Sequence, residues 1–356
     1  GHNPFCQGHG YIYGNLWPGV GGQGSGMKAE QPTFDEKILK LLKENRGDYT
    51  SGVEIGKSLD LSRTAVWKHM GNLRKAGYDI DAIPNLGYRL LSSPDLMTPA
   101  EIESGLRTKC IGKKVHAFSL TDSTNTKAFE LALHGAPEGT VIVAEGQRKG
   151  KGRLGRKWES PKGVNIYTSI VLRPKIAPSS ASQITLLAAV ATARAIEKAT
   201  KILPDIKWPN DLLIRNRKVS GILMELDSEA DMVNFIVLGI GIDINMDINS
   251  LPPDVAKVAT SIKNETGRTI ERVPLVQELF RQLEKWYEIF KADGFGPIIT
   301  EWERLSIMAG KYIRVSFLKE TKEGVALGLD TDGALLLRLP TGRIERVVAG
   351  DVTMVR

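Results

Sequence analysis

The chain has 356 residues, 42% hydrophobic and 25% charged, with a formal net charge of +7 and two cysteines, Cys6 and Cys110. That balance is ordinary for a folded chain of two or three domains and excludes one dominated by disorder. Two cysteines and five scattered histidines assemble neither a disulfide framework nor a metal site from neighbouring ligands, and the longest apolar runs, "ITLLAAVATARAI" and "FIVLGIGIDI", are too short for a membrane span or are broken by Arg194, so a soluble protein of a reducing cytoplasm is expected.

Residues 1–26 are glycine-rich, nearly uncharged and end in "GGQGSG" before Met27, which reads as a disordered leader or tag outside the fold, with a native N-terminal arm as the alternative. Residues 27–91 carry the pattern of a winged helix-turn-helix. Phe34, Ile38, Leu41 and Leu42 recur at helical spacing before the "NRG" stop; Ser51 is placed to cap a second helix, "GVEIGKSL", and Ser62 a third, "RTAVWKHMGNLRKAG", with Val66, Met70 and Leu73 as its buried stripe. Ser62 begins that third helix, and Arg63, Thr64, Trp67, Lys68 and Arg74 lie on faces that could reach a DNA groove. "YDIDAIPNLGYRLL" turns at residues 84–87 into a hairpin wing that carries Arg89. Helix, helix-turn-helix, wing is a DNA-reading order in which the last helix enters the major groove. A small helical protein-interaction unit is the bland alternative. Residues 92–98, next to Pro99, read as a linker to a larger unit at 99–308.

Within that unit "EGQRKGKGRLGRKWESP" contains Gly150, Gly152 and Gly155 in the G-x-G-x-x-G spacing. A dinucleotide-binding turn needs a strand before the glycines, a helix after them and an acidic residue further on. Only the strand, "GTVIVAE", is present; Pro161 and Gly163 interrupt any helix and "VNIYTSIVL" alternates like another strand. A Walker loop fails as well, because Arg156 and Lys157 follow Gly155 where Lys and Ser or Thr are required. What remains is a mobile basic loop, with Lys151, Arg153 and Arg156 among its cations, that an anion would order and whose terminal Trp158 offers a stacking face. Further on, "SQITLLAAVATARAIEKA" and "PLVQELFRQLEKWYEIF" read as helices flanking a mixed α/β sheet, and residues 309–356 read as short strands of a small β-barrel with Asp332 and Gly333 at a tight turn.

Taken in order, "DSTN" at 122–125, "GKGRLGRKW" at 150–158, "KWPNDLL" at 207–213, "SGILMEL" at 220–226 and "GIGIDIN" at 239–245, together with the winged helix, resemble the bifunctional biotin protein ligases that also repress biotin-synthesis operons, from about residue 34 to the end. The resemblance implies an α/β multidomain fold: winged helix-turn-helix, a class II biotin/lipoate ligase domain, and an SH3-like barrel that helps hold ATP and the acceptor. It implies that Ser123, Thr124, Asn125, Gln147, Lys151, Gly152 and Gly221 line the biotin site and that Arg153, Arg156, Trp158 and Asp243 meet ATP. Lys207 and Arg153 would be the catalytic cations, with Lys207 between the biotin carboxylate and the α-phosphate. Biotin, ATP and Mg²⁺ are the implied ligands, and the lysine of a biotin carboxyl carrier protein, operator DNA and a homodimer promoted by biotinoyl-AMP are the implied partners. A lipoate or octanoate ligase and a sensor without catalysis are the alternatives.

Each motif also has a plainer reading: "DSTN" as a helix cap, Lys207 as a strand-end lysine, Trp158 and Trp208 as core, "GIGIDIN" as a buried strand. Lys151 stands where the family commonly has Arg, Leu154 where a basic residue is frequent, and Asp243 where Asn is usual. A carboxylate near phosphate at 243 would need a metal or a proton.

Overall fold

Capping side chains shape the N-terminal head. The computed structural model describes residues 33–45, 47–317 and 320–355, so the leader expected at residues 1–26 lies outside the described residues. Helix α1 (Phe34–Glu44) starts with a capping box between Thr33 and Glu36, and Ser51 and Ser62 cap α2 (Gly52–Leu59) and α3 (Arg63–Lys75). Its buried stripe is Ile38, Leu39 and Leu42, whereas Phe34, expected inside, is 42% exposed beside the His69 ring. Strands β1 (Asp79–Ile83) and β2 (Gly87–Ser92) form the antiparallel wing. Thr50 and Tyr88 exchange backbone hydrogen bonds that tie the wing to the helices, at a place where a Cβ on Gly87 would lie 2.1 Å from Thr50 O.

Residues 92–98 connect the head to the rest but are not loose. The Asp95 carboxylate accepts from the backbone N–H groups of Arg272 at 2.9 Å and Val273 at 3.1 Å and from Arg272 Nε at 3.0 Å, and Met97 is buried with its N–H donating to Glu145.

After α4 (Pro99–Glu103) the chain runs β3 (Lys114–Phe118), α5 (Thr124–Leu133), β4 (Thr140–Ala144), β5 (Ile166–Leu172), α6 (Ser182–Thr200), β6 (Asp205–Lys207), β7 (Asp211–Ile214), β8 (Arg217–Glu229) and β9 (Met232–Ile242). The helices α7 (Pro253–Ala256), α8 (Ile262–Thr266), α9 (Arg272–Asp293) and α10 (Gly296–Leu305) follow. The seven strands form one sheet in the order β3-β4-β5-β9-β8-β7-β6, with β3 and β4 parallel and every other pair antiparallel. Strand alternation divides its residues between two cores. Ile236, Leu238 and Ile240 face α6 and α9, while Phe235 and Val237 face α5 together with Ile142 and Val171.

Strands β10 (Tyr312–Phe317), β11 (Glu320–Leu329), β12 (Leu335–Arg338), β13 (Ile344–Val347) and β14 (Asp351–Met354) make a five-stranded antiparallel sheet in the order β13-β12-β11-β10-β14. The expected turn at Asp332 and Gly333 is present, with the Asp330 carboxylate accepting from the N–H groups of Asp332 and Ala334 and Gly333 at φ +87°. Trp208 is core: it is 2% exposed and donates to Gly333 O at 3.3 Å, joining the two sheets.

Candidate active site

On the α5 face of the sheet the large side chains of β9 give way to glycine. Phe235 and Val237 pack under α5, and the next residues of the same parity are Gly239 and Gly241. A Cβ on Gly239 would lie 2.0 Å from Asn125 Oδ1, and one on Gly241 would lie 2.7 Å from Trp158 Nε1. Gly221 pairs with Gly241 across β8, and a Cβ there would meet Trp158 at 3.0 Å. The glycines of "GIGIDIN" and "SGILMEL" thus open a cleft at the N-terminus of α5.

One end of this cleft is a neutral hydrogen-bonding pocket. Ser123 occupies the N-cap position of α5 but its side chain makes no capping bond, so the plain cap reading of "DSTN" is not what the hydroxyl does. Gln147 Oε1 accepts from the N–H of Thr124 at 2.8 Å and from its hydroxyl at 3.2 Å. Asn125 is 4% exposed; its amide donates to Glu225 Oε2 at 2.8 Å and Leu223 O at 3.2 Å while Oδ1 accepts from Ser169 Oγ at 2.6 Å. Both ends of that amide are committed, so its orientation is set by its neighbours.

The other end is cationic. The basic loop is closed as a small hairpin: Trp158 N–H donates to Gly150 O, Gly152 N–H to Arg156 O, and Leu154 at its tip takes a left-handed φ of 55°. The sequence predicts disorder without an anion; here carboxylates and carbonyls serve as the loop's partners. Arg153 Nη1 donates to Asn210 Oδ1 at 3.1 Å and to Gly350 O at 3.4 Å, and the Asp351 carboxylate pairs with Arg156 and lies 3.9 Å from Arg153. Burial pulls the Arg153 guanidinium below its ordinary pKa, partly opposed by Asp351 and Asp211. Lys151 Nζ faces Glu225 at 3.6 Å, and Arg148 and Lys149 turn to Asp122, away from the cleft wall. Trp158 lies half-buried across the cleft floor with Lys218 Nζ 5.2 Å from its ring centre, and its indole N–H has no partner among the described residues.

Ser123, Thr124, Asn125, Gln147, Lys151, Gly152, Arg153, Arg156, Trp158 and Gly221 therefore share one cleft wall. Two expected residues do not. The ATP role expected for Asp243 finds no support in its placement: it is 4% exposed, it is not on the cleft wall, and its carboxylate accepts from Asn165 Nδ2 at 2.8 Å, while burial pushes it well above the usual carboxylate pKa, with Lys218 opposing. Desolvation favours the neutral form of such a carboxyl. Lys207 is not on the wall either; its Nζ is 3.7 Å from Asp211 Oδ2, and Asp211, which does line the cleft, is held at 2.6 Å by Lys218.

Sequence reasoning missed Lys218, Asp211, Ser169 and Asp351. Asp211 lies within "KWPNDLL" and Lys218 two residues before "SGILMEL", so both carried a signal; Asp351 comes from the C-terminal sheet, and its arrival depends on tertiary docking. Among the described residues no group of three or more His, Cys, Asp or Glu side chains gathers for a metal ion, and no helix is long and apolar enough to cross a membrane.

On the head, Arg63, Thr64, Trp67 and Lys68 are exposed along α3, Trp67 by 68%. The expectation for the other two cations is amended. Arg74 donates twice to Ile80 O, at 3.1 and 2.7 Å, and Arg89 lies over the Tyr49 ring at 4.5 Å and 3.4 Å from Asp81, so both brace the wing. Ser62 is spent on its cap, accepting from Ala65 N–H.

Comparison with known proteins follows the same division of the chain. Residues 35–89 match an HTH domain family, residues 117–243 the biotin/lipoate A/B protein ligase family, and residues 310–355 the biotin protein ligase C terminal domain. The chain is 39% identical over 322 residues to the bifunctional ligase/repressor BirA of Bacillus subtilis, covering 90% of this chain and 99% of that protein. It is 31% identical to the bifunctional ligase/repressor BirA of Escherichia coli, covering 90% and 97%. The solved biotin protein ligase from Aquifex aeolicus in complex with biotin and ATP is similar with a TM-score of 0.59 and 28% identity, covering 68% of this chain and 99% of that one.

Proposed function

The chain belongs to the biotin protein ligase family, in the form that joins the ligase to a DNA-binding head, and from that premise we propose how its cleft works. It is an ATP-dependent biotin protein ligase and a biotin-responsive repressor. The observation that carries the reading is the juxtaposition, in one cleft, of the neutral Thr124–Asn125–Gln147 pocket and the Arg153–Arg156 loop. A ureido ring offers two N–H donors and one carbonyl acceptor, which such a pocket can pair; a dithiolane ring would leave those buried groups unpaired, which argues against lipoate.

The reaction joins two anions, a carboxylate and the α-phosphate of ATP, with release of pyrophosphate. The chain's part is to neutralise charge and hold both in line. Arg153 and Arg156 exchange the Asp351 carboxylate for phosphate oxygens, Mg²⁺ arrives with the nucleotide, and Trp158 gives the adenine a stacking face. Lys207 exchanges Asp211 for the biotin carboxylate. The biotinoyl-AMP anhydride is then attacked by the ε-amine of a carrier-protein lysine, which forms the amide and expels AMP; loop closure keeps water from that carbonyl. In the cytoplasm, two adenylate-loaded copies present two α3 helices to the half-sites of an operator, with Arg63, Thr64, Trp67 and Lys68 facing the groove.

The test is pyrophosphate release from MgATP by the purified chain with biotin, with lipoate and with no acid, in parallel with Lys207→Ala. Release confined to biotin and lost in the variant supports the assignment. Release with lipoate, or biotin binding without release, refutes it.

A further inference from the structure

Ser160 connects the two ends of the cleft. It is 9% exposed and follows the cationic loop by two residues. Its hydroxyl accepts from Gln147 Nε2 at 3.0 Å and donates to the carbonyl of Trp158, also at 3.0 Å. The polarity of this chain of bonds is forced. The Thr124 backbone N–H can only donate, so the Gln147 oxygen must face it; the Gln147 nitrogen then faces Ser160, whose single hydrogen goes to the Trp158 carbonyl. Reversing the Gln147 amide would set donor against donor at Thr124.

The surroundings leave room for this relay and no more. A Cβ on Gly150 would lie 2.5 Å from Ser160 Oγ, 2.3 Å from Trp158 O and 3.2 Å from Gln147 Nε2. Trp158 N–H returns to Gly150 O at 2.9 Å, closing the base of the loop, and Gln147 N–H donates to Ser160 O at 3.3 Å. The serine thus sits where the base of the loop meets the amide that lines the neutral pocket.

We propose that Ser160 is a positioning residue for the ligase reaction: it orients Gln147 toward the ureido group of biotin and transmits the filling of that subsite to the base of the cationic loop. The inference rests on the biotin reading of the cleft. It predicts that biotin alone tightens the loop before ATP arrives, because a ureido ring that fixes Gln147 also fixes Ser160 and, through it, the Trp158 carbonyl.

The experiment uses the full chain and measures pyrophosphate release with biotin varied at saturating MgATP, and the reverse, for wild type, Ser160→Ala, Gln147→Ala and the double variant. Ser160→Ala should raise KM for biotin roughly tenfold, the loss of one oriented buried amide, with kcat and KM for ATP within about threefold. In the Gln147→Ala background the same change should alter KM for biotin less than about twofold. Saturating biotin should slow trypsin cleavage within residues 148–157 in the wild type and not in Ser160→Ala. Should the alanine variant not fold, Ser160→Cys, which keeps the volume and weakens the acceptor, reads the same cycle. Equal effects of Ser160→Ala in both backgrounds, or wild-type behaviour of the single variant, would overturn the relay. Absence of biotin-dependent release from the wild type would overturn the biotin reading itself.

Discussion

Gly239→Ala tests the geometry of the neutral pocket with one methyl group. The added Cβ would stand 2.0 Å from Asn125 Oδ1 and 2.8 Å from its Cγ, well inside contact distance, and Asn125 is too short to swing clear without leaving its partners. Those partners are Ser169 Oγ at 2.6 Å, Glu225 Oε2 at 2.8 Å and Leu223 O at 3.2 Å. At about 1 kcal/mol for each neutral bond and roughly 2 for the bond to a carboxylate, full displacement forfeits about 4 kcal/mol, and partial displacement about 2. That cost falls on the folded pocket and reaches biotin affinity to the extent that binding requires Asn125 back in place, a weakening of up to about 30- to 1,000-fold. Isothermal titration with biotin measures it directly, and Gly71→Ala on the distant helix α3, where a Cβ meets nothing within 4 Å, is the control that should leave affinity unchanged. An affinity for biotin in Gly239→Ala within threefold of wild type would refute the claim that the glycine is there to let Asn125 approach.

Arg153→Lys keeps the charge and removes the fork that reaches Asn210 and Gly350, so kcat/KM for ATP should fall about 10- to 100-fold in steady-state kinetics while biotin affinity holds. Asp351→Asn deletes the carboxylate that pairs with Arg156; because Arg156 is mostly exposed the pair is weak, and trypsin should cut residues 148–157 of the unliganded protein only a few-fold faster. Asp243→Asn acts on stability and on its pH dependence. The folded-state pKa of Asp243 lies above the unfolded value near 3.9, so its contribution is present below that value and is lost as pH rises through the folded one; the asparagine variant should show a flatter fall of Tm with rising pH in calorimetry. Trp67→Ala and Lys68→Ala on the exposed face of α3 should each weaken operator DNA binding at least fivefold in a gel-shift assay, with pyrophosphate release unaffected.

Much of this was legible in the chain because local rules wrote it. Ser51 and Ser62 mark helix starts through bonds that span two or three residues, and the turn at Asp332–Gly333 rests on one carboxylate and one positive φ. Motifs carried the cleft: ten of the expected residues lie on its wall. What local pattern could not supply was facing. Asp243 follows Gly241 by two positions, but β9 ends at Ile242 and the carboxylate is buried against Asn165 instead of lining the cleft. Charge counts likewise do not reveal that Arg74 and Arg89 also brace the wing, through Ile80 O and Asp81. Asp351 enters the cleft only because the C-terminal sheet docks against it, 195 residues from Arg156.

The segment read as a linker shows why burial has to be weighed with sequence. Arg272 is 1% exposed, and a lone guanidinium there would cost several kcal/mol of lost hydration. Burial by itself would lower its pKa, but hydrogen bonds and charge from Glu145 and Asp95 hold it above the ordinary value. Its partners come from three places: Asp95 in the connection to the head, Glu145 just past β4, and Asn165 O at the start of β5. Removing any one carboxylate leaves a buried charge with too few acceptors, so these segments hold their places together or not at all. Glu145 is two residues before Gln147, and Met97 N–H donates to the other oxygen of the same Glu145 carboxylate. The path of the chain into the head and the position of the amide in the neutral pocket are therefore set by one buried ion cluster, and a residue that nominally belongs to a linker is part of the scaffold of the cleft.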